Sequence, residues 1–408
     1  MKNLNESKKV LFLSGIDFKE KSIQVIRKTP EYYASVGWDV DYIVARDNVT
    51  GGNYSYEKEI NPENINIYRF YWPFLEVRKI KNRYLNLILS KLASFYVIIL
   101  LALKGYKKIK SNRYDVVYGY ELQGVLAMTL LKPFLKKEKI VTRFQGTFIN
   151  EMFENKQWLR LFFNIDLILA LKVKADLTIM TDDGTQGDKA LQKIRGKANL
   201  GNIKFWPNGV NKIEHIDWPN LNKEKIKIIS ISRLVGWKRV DRCIMLVKKL
   251  VDNGFINFEY EIVGGGELRE ELEKKVDFLS LREFIKFSGA LPHEEALTRL
   301  KKAQIFFSMY DSSNVGNPLL EAIRANKIIV TLDNGDTKSW IKHNINGLIY
   351  NPNDDFFDEA AKDFENLIAN KLKRENMLKE LYITEVNRLF SWEERLKNEE
   401  KAVLELFS

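Results

Sequence analysis

The chain has 408 residues, of which 65 are basic and 54 acidic, so its formal net charge is +11. This length is too great for one ordinary core and predicts two domains of about 200 residues each. A single cysteine, Cys243, excludes a disulfide framework and is typical of a reducing compartment. The positive charge favours anionic ligands or surfaces. Because it is spread thinly and no nucleic-acid-binding motif is present, we expect no nucleic-acid partner.

Strand-like and helix-like runs alternate along the whole chain. The amino terminus lacks the pattern of a secretory signal, and its short apolar run predicts the first strand. Strands are predicted at 8–15, 39–45, 65–70, 114–120, 139–146, 176–181, 225–232, 258–264, 284–289, 303–309 and 327–332. Helical segments between most of them predict an α/β fold, with parallel sheets covered by helices on both faces. Proline, asparagine and charge interrupt the pattern at 211–222, where we place the boundary between two Rossmann-like domains.

The most apolar segment of the chain is 85–103. Basic residues flank it on both sides: Arg78, Lys79, Lys81, Arg83, Lys104, Lys107, Lys108 and Lys110. A membrane-spanning helix needs about 20 apolar residues with few charges, whereas polar residues interrupt the first half of this segment. Two alternatives stay open, a core helix packed on the sheet and a peripheral contact of 78–110 with an anionic membrane surface. The basic flanks favour the peripheral contact. We therefore expect a cytoplasmic protein that binds to the inner face of the plasma membrane.

The stretch 308–325 ends a strand, forms a loop with Gly316 and opens a helix with Pro318 in its first turn. Proline suits that position because its missing N–H has no helical partner there. The amides and the dipole of a helix start attract phosphate. Glu321 stands one turn into this helix, where a carboxylate does not suit phosphate. We therefore predict that Glu321 binds the two ribose hydroxyls of a nucleotide whose phosphates lie at the helix start.

Two further strand ends carry residues suited to a diphosphate. The strand 225–232 is followed by a loop with Arg233, Lys238 and Arg239, where open α/β sheets bind ligands. The strand 258–264 runs into three consecutive glycines, Gly264, Gly265 and Gly266, which allow a close approach of the backbone to a ligand. We predict that Arg233 and Lys238 neutralise the charge of a bound diphosphate. They would neutralise more negative charge as the diphosphate departs as the leaving group.

The order and spacing of these motifs resemble a retaining glycosyltransferase of the GT-B fold, glycosyltransferase family 4. The carboxyl half carries the match in SRLVGWKRVD, IVGGGEL, SGALPHEEAL, NVGNPLLEA and INGLIYNPND, and the amino half matches weakly in KKVLFLSG, DVVYGYE, ADLTIMTDDG and FWPNGVN. The resemblance implies two Rossmann-like domains whose parallel sheets face each other across a cleft. Residues 1–212 form an acceptor-binding domain joined by a tail helix at about 386–408, and 213–385 bind the nucleotide sugar.

The resemblance also implies the activity and its residues. We expect a metal-independent hexosyltransferase without a cofactor, which moves a sugar from a nucleotide-diphosphate donor to a glycan or lipid-linked acceptor in bacterial surface polysaccharide synthesis. The catalytic candidates are Arg233, Lys238 and Glu321. The donor-binding candidates are Gly264, Gly265, Gly266, Leu291, Asn314, Gly316, Asn317, Leu319 and Leu320. The acceptor-side candidates are Gly15, Tyr120, Glu121, Arg143, Gln145 and Thr147.

The chain departs from the family at one informative position. A glutamate usually stands eight residues before the ribose-binding one, and here that position is Ser313. Asn314 and Asn317, with Asp311 nearby, are then the candidates for binding sugar hydroxyls. The three histidines, His215, His293 and His343, are predicted to be surface or loop residues, and the pair Asp182 and Asp183 to form a loop rather than a metal site.

Two other functions fit parts of the pattern. A non-catalytic nucleotide-sugar-binding partner subunit would explain Ser313 and the absence of a histidine after the strand 139–146. A nucleotide-sugar 2-epimerase shares the two-domain fold, but it needs acid and base groups that this chain offers sparsely.

Overall fold

The computed structural model describes residues 7–19, 24–46, 59–71, 82–214, 224–352 and 355–408. They form two compact units. The first comprises Met1–Asp182, Gly187–Trp206 and Glu394–Ser408, and the second Asp183–Gln186 and Pro207–Glu393. The main boundary therefore lies before Pro207 rather than at 212, and the tail joins the first unit from Glu394 rather than from 386. The four residues Asp183–Gln186, which the prediction left in the first domain, belong to the second.

The described part of the first unit contains one parallel sheet with strand order β3-β2-β1-β4-β5-β6-β7. Its strands are β1 (Lys9–Ser14), β2 (Asp39–Arg46), β3 (Ile65–Tyr71), β4 (Val116–Tyr120), β5 (Lys139–Phe144), β6 (Leu177–Thr181) and β7 (Ile203–Trp206). Its helices before the boundary are α1 (Gln24–Ser35), α2 (Arg83–Ser111), α3 (Glu121–Leu131), α4 (Ile149–Glu154), α5 (Trp158–Phe163), α6 (Ile165–Lys172) and α7 (Gly187–Arg195). The strand β7 was not predicted, because it is short and only half-buried.

Helices cover the two faces of this sheet, as the alternation of its side chains shows. Leu11 and Leu13 of β1 belong to the core cluster that includes Val97 and Leu101 of α2. Phe12, between them, points to the opposite face, where its ring lies 4.7 Å from that of Tyr118. One face of α2 is thus part of the core. By length and composition alone α2 also qualifies as a candidate membrane span, which is weak evidence for a spanning role.

The described part of the second unit repeats the same strand order, β10-β9-β8-β11-β12-β13, again in parallel. The strands are β8 (Ile226–Ile231), β9 (Phe258–Val263), β10 (Ile285–Gly289), β11 (Ile305–Ser308), β12 (Ile328–Leu332) and β13 (Leu348–Tyr350). Its helices are α8 (Val240–Asp252), α9 (Arg269–Phe278), α10 (His293–Lys302), α11 (Asn317–Arg324), α12 (Thr337–Trp340), α13 (Phe357–Ala369) and α14 (Lys371–Arg388). The tail helix α15 (Trp392–Leu404) follows and belongs to the first unit from Glu394 on. Two core clusters, on the two faces of the sheet, confirm the predicted α/β layering.

The tail helix α15 contributes a buried charge cluster to the first unit. Glu399 is fully buried and accepts hydrogen bonds from Tyr118 Oη at 2.5 Å, Arg143 Nη1 at 2.5 Å and Arg395 Nη1 at 2.9 Å. Burial opposes the charge of Glu399, but the two guanidinium groups outweigh it and hold its pKa below the ordinary value. These polar groups fix where α15 lies on the sheet, because none of them can be left unpaired in the interior without a large cost.

Candidate active site

The strand order of each unit reverses at one point of its sheet. In the second unit this switch point lies between β8 and β11, which are neighbours in the sheet although they are distant in sequence. Chains leave parallel strands in opposite directions on the two sides of such a point, which opens a crevice at the carboxyl edge where ligands bind. The loop after β8 carries Arg233 and Lys238, and the loop after β11 leads into α11. The fold therefore places both predicted loops at the switch point.

Lys238 lies between two aromatic rings at this crevice. Its Nζ is 3.5 Å from the ring centroid of Tyr310 and 4.0 Å from that of Trp237. The Asp311 amide donates to the carbonyl of Trp237 at 2.9 Å, which ties the loop after β11 to the loop after β8. Burial, with a smaller effect of the positive charge of Arg233, lowers the pKa of Lys238 to about 7. The two rings favour the charged form of Lys238, but the effect of burial is larger. A small change in its surroundings is therefore enough to change the charge of Lys238 near neutral pH.

The two cations differ in their surroundings. Arg233 is exposed, whereas Lys238 is half-buried, and the positive charge of Arg233 contributes to the lowered pKa of Lys238. Arg239, the third basic residue of this loop, pairs with Asp241 at 2.9 Å and Asp311 at 3.1 Å. Its charge is thus largely compensated, and Asp311, predicted to lie near the donor sugar, is engaged by arginines. Arg233 and Lys238 remain the cations of this loop that suit an anionic ligand.

The glycine turn after β9 packs directly on the Arg233 loop. A Cβ atom on Gly264, whose φ is +145°, would lie 1.8 Å from the carbonyl oxygen of Ser232, and one on Gly266 would lie 2.3 Å from that of Leu234. The Leu234 amide donates to the Gly265 carbonyl at 2.9 Å. Two of the three predicted glycines are therefore required for contact between backbones. Gly265 has more room, since its Cβ would meet Ala290 at 3.4 Å.

Glu321 is buried one turn into α11 and contacts a histidine that the sequence did not single out. His293 Nε2 lies 2.8 Å from Glu321 Oε1, and the His293 side chain is 51% exposed while that of Glu321 is 9% exposed. His293 begins α10, after β10, so a fourth strand end contributes to the site. His293 is exposed, as predicted for a surface histidine, but the prediction gave it no contact with the site. Its place inside the quoted motif SGALPHEEAL was the signal that could have identified it.

The remaining donor-side candidates lie on the loop before α11 or within it. Asn314 is buried; its side chain accepts from the Tyr310 amide at 3.0 Å and donates to the Leu332 carbonyl at 3.0 Å. It therefore supports the loop, and the prediction that this side chain binds a sugar is wrong. Leu319 and Leu320 are also buried, in the core, so their side chains do not face a ligand, and of the two only the Leu319 amide stays a candidate.

For three other candidates, the contact with the donor stays a prediction. Asn317 Oδ1 accepts from Asn208 Nδ2 at 2.9 Å. Gly316 caps α11 in an extended conformation, and its carbonyl accepts from the Leu320 amide at 3.1 Å. Leu291, half-buried after β10, packs against the core.

Ser313 stands in a confined place. Its Oγ accepts from the Val315 amide at 3.0 Å. A Cβ on Gly184, whose φ is +73°, would lie 2.1 Å from that Oγ, and one on Gly335, whose φ is +59°, would lie 3.0 Å from the Ser313 Cβ. Asp183 holds the same short segment in shape, because its Oδ1 accepts from the Thr185 hydroxyl at 2.6 Å. The segment Asp183–Gln186 thus packs where a longer side chain at 313 would extend.

In the first unit, the switch point between β1 and β4 carries a small polar group. Gln145 Nε2 donates to Tyr120 Oη at 2.8 Å, and the Gln145 amide donates to Glu121 Oε1 at 2.6 Å. Glu121 has φ of +56°, a conformation that non-glycine residues adopt rarely and that is frequent at functional sites. Gly15, at the end of β1, is equally confined, since a Cβ there would lie 2.8 Å from Gln123. These four residues share the edge that the sequence predicted.

Two acceptor-side predictions are not supported. Arg143 is fully buried, pairs with Glu399 and donates to Thr181 Oγ1 at 3.3 Å, so its side chain faces the interior and the prediction that it binds a ligand is wrong. Burial disfavours its charge, but Glu399 outweighs this effect and raises the pKa of Arg143. Thr147 is also buried, and its hydroxyl accepts from the Ile149 amide at 3.2 Å at the start of α4.

Among the described residues, one group has ligand atoms close enough to hold a metal ion: His343, Glu359 and Asp363, all within 4.8 Å. His343 Nδ1 accepts from the Ile349 amide at 3.4 Å, and its Nε2 lies 3.3 Å from Asp363. This group belongs to the β13 edge of the sheet and not to the switch point, so we assign it no part in the site. His215 lies outside the described residues.

Comparison with known proteins shows what these features resemble. Residues 211–382 match the family model described as glycosyl transferases group 1. The 2-deoxystreptamine N-acetyl-D-glucosaminyltransferase of Niallia circulans is 22% identical over 271 residues, which cover 63% of this chain and 69% of that protein. The amylovoran biosynthesis glycosyltransferase AmsK of Erwinia amylovora is 24% identical over 262 residues, 59% of this chain and 58% of that protein.

A solved structure extends the likeness to the whole chain. The structure of Anabaena Alr3699/HepE in complex with UDP-glucose matches with a TM-score of 0.66 and 16% identity, over 97% of this chain and 99% of that one. Two parallel sheets with the same strand order, in two Rossmann-like units, define the GT-B fold of glycosyltransferases. Most of the second unit, residues 211–382, thus matches the group 1 glycosyl transferases, and the chain as a whole has the GT-B fold.

Proposed function

We propose that this protein is a retaining, metal-independent hexosyltransferase. It takes the sugar from a nucleotide-diphosphate donor and transfers it to a glycan or a lipid-linked saccharide in bacterial surface polysaccharide synthesis. The observation that carries this proposal is the meeting of two cationic loop residues, a glycine turn and the Glu321–His293 pair at the switch point of the second unit.

The site binds two parts of the donor, the diphosphate and the ribose. Arg233 and Lys238 lie beside the diphosphate, where negative charge grows as the glycosyl bond breaks. Glu321 accepts hydrogen bonds from the ribose hydroxyls, and His293 fixes the orientation of its carboxylate. Contacts that strengthen as charge develops accelerate the reaction, whereas equal binding of ground and transition states does not. Losing one such contact costs about 3 kcal/mol of transition-state stabilisation, or roughly a hundredfold in rate.

The known relatives support the donor and the process. AmsK is named for amylovoran biosynthesis, the Niallia circulans protein for transfer of an N-acetyl-D-glucosaminyl group, and HepE was solved with UDP-glucose. We therefore propose a UDP-sugar as donor. In the proposed retaining reaction the acceptor hydroxyl attacks from the face that the leaving group vacates. A phosphate oxygen takes its proton, so no separate base is required.

The donor class is tested by thermal-shift measurements with UDP, GDP, ADP and their sugars. A ligand that binds the folded state raises the melting temperature by mass action, and we expect the largest increase with a UDP-sugar. Transfer is then followed with radiolabelled donor and an extract that contains glycolipid, with product analysis to establish the anomeric configuration. If the protein shows no transfer and no donor hydrolysis with any donor of the panel, the proposal is contradicted.

A second function, a non-catalytic subunit that binds nucleotide sugar, is favoured by Ser313 and its confinement by Gly184 and Gly335. It predicts donor binding without turnover for every acceptor offered. The remaining alternative, a nucleotide-sugar 2-epimerase, is tested by incubation with the donor alone. An epimerised sugar would form only if the protein has that activity.

A further inference from the structure

The first unit exposes large apolar side chains on two neighbouring parts of its surface. Along α2 they are Tyr84, Ile88, Leu92, Phe95 and Leu103. On the short helix α5, the side chains of Trp158, Leu159 and Phe162 are 65%, 70% and 68% exposed. A surface helix of a soluble domain normally presents polar residues to water, and contiguous apolar patches mark interaction sites.

The spacing of the α2 residues makes them one stripe. They recur at intervals of three or four residues, through the half-buried Ile99, so they lie on one side of the helix. From Tyr84 to Leu103 the stripe extends about 29 Å along the axis. The opposite side of α2 holds Val97 and Leu101, which are buried in the core. The stripe is therefore the outer surface of a helix that is held on the sheet.

An ion pair places α6, and with it α5, beside the stripe. Lys91 Nζ lies 2.7 Å from Asp166 Oδ1 of α6. Lys91 precedes Leu92 of the stripe, and Asp166 follows Ile165, which is itself exposed. The exposed residues of α2 and those of α5–α6 thus lie on neighbouring parts of the surface, which together we call the α2–α5 face.

The charged side chains of α2, α5 and α6 are basic except for one. Segment 83–111 contains no acidic residue, and 158–172 contains only Asp166, which Lys91 neutralises. The stripe continues into Lys107 and Lys110, and Arg160 stands between the apolar residues of α5. A second copy of the chain would bring like charges together. An anionic bilayer satisfies both features, because it accepts apolar and aromatic side chains and attracts the basic rim.

We propose that the α2–α5 face docks on the surface of an anionic lipid bilayer, with Trp158, Leu159 and Phe162 inserted at the interface and α2 lying parallel to it. This inference rests on the proposed function in one respect: it would bring the enzyme to a lipid-linked acceptor. The part contributed by α5 is separate from the segment 78–110 that the sequence suggested, of which 78–81 lie outside the described residues.

The test is sedimentation of the full chain with vesicles of phosphatidylglycerol and phosphatidylcholine, compared with phosphatidylcholine alone. We expect binding to the anionic vesicles that weakens with salt. The triple substitution W158S/L159S/F162S should lower the partition constant about tenfold or more. The matched control is Phe278→Ser, because Phe278 is 88% exposed and lies on α9 of the second unit. It should bind as the wild type does.

A labelled variant keeps the proposal testable if the triple variant does not fold. Cys243 is buried, so Phe162→Cys and Phe278→Cys each offer one accessible thiol for a polarity-sensitive dye. The dye at position 162 should report an apolar environment when anionic vesicles are added, and the dye at 278 should not. Absence of vesicle binding, equal loss in the Phe278 control, or a dimer that the triple variant abolishes would each overturn the proposal. Donor binding by thermal shift on the same variants separates this outcome from failure of the proposed function.

Discussion

The protonation of Lys238 provides a quantitative test of the donor site. Its pKa is about 7 in the ligand-free protein, because burial and then Arg233 disfavour its charge. It is therefore about nine-tenths protonated at pH 6 and about 3% protonated at pH 8.5. A diphosphate beside Lys238 binds the protonated form better. If the bound lysine stays charged throughout, the donor affinity should fall about thirtyfold between pH 6 and pH 8.5.

Isothermal titration calorimetry with a nucleotide sugar measures this effect. Each phosphate of such a donor carries one ester and one anhydride link, so its one remaining acidic group does not titrate in this range. At pH 7 binding should take up about half a proton, which appears as a dependence of the heat on the buffer. Lys238→Met should bind more weakly at pH 6 and show no pH dependence from this group. A wild-type affinity that is constant over the range, together with weak binding by Lys238→Met, would refute the assigned pKa. An unaffected Lys238→Met affinity would refute the assigned contact.

The same shift has a consequence for stability. An unfolded lysine keeps its proton up to about pH 10.5, whereas the folded one releases it near pH 7. Between these values the unfolded state binds more protons, so the contribution of Lys238 to stability rises with pH. The melting temperature of the ligand-free wild type should therefore rise relative to that of Lys238→Met as the pH increases above 7.

Three further substitutions test other parts of the structure. Glu321→Ala should weaken nucleotide-sugar binding about a hundredfold, measured by calorimetry, because a buried carboxylate that accepts hydroxyl hydrogen bonds is lost. Unchanged affinity would contradict its role as the ribose ligand. Arg143→Met should lower the free energy of unfolding in urea by about 3 kcal/mol, because Glu399 loses a buried partner. If the variant loses activity without losing stability, Arg143 binds a ligand after all. Gly264→Ala should cost about 3 kcal/mol by the same measurement, since its Cβ has no space, whereas Gly265→Ala should cost much less.

Local pattern was sufficient for much of the architecture. The alternation of short apolar runs with helical segments predicted parallel sheets, and eleven of the thirteen described strands were located from it. It missed β7 and β13, which span four and three residues, because so short a run carries little periodicity. The glycine turn, the cationic loop and the proline-led helix were likewise visible, since each depends on the conformational or charge properties of adjacent residues.

The sequence by itself thus determined the sheets, the strand ends and most residue types around the donor site. Tertiary structure alone decided which side chains face a ligand. Arg143 and Gln145 differ by two positions on the same strand end, yet Arg143 is buried against Glu399, 256 residues away in the chain, while Gln145 lies at the edge beside Tyr120. The contact of His293 with Glu321 and that of Lys91 on α2 with Asp166 on α6 have the same origin. They depend on strand order and helix packing, which residue spacing along the chain does not encode.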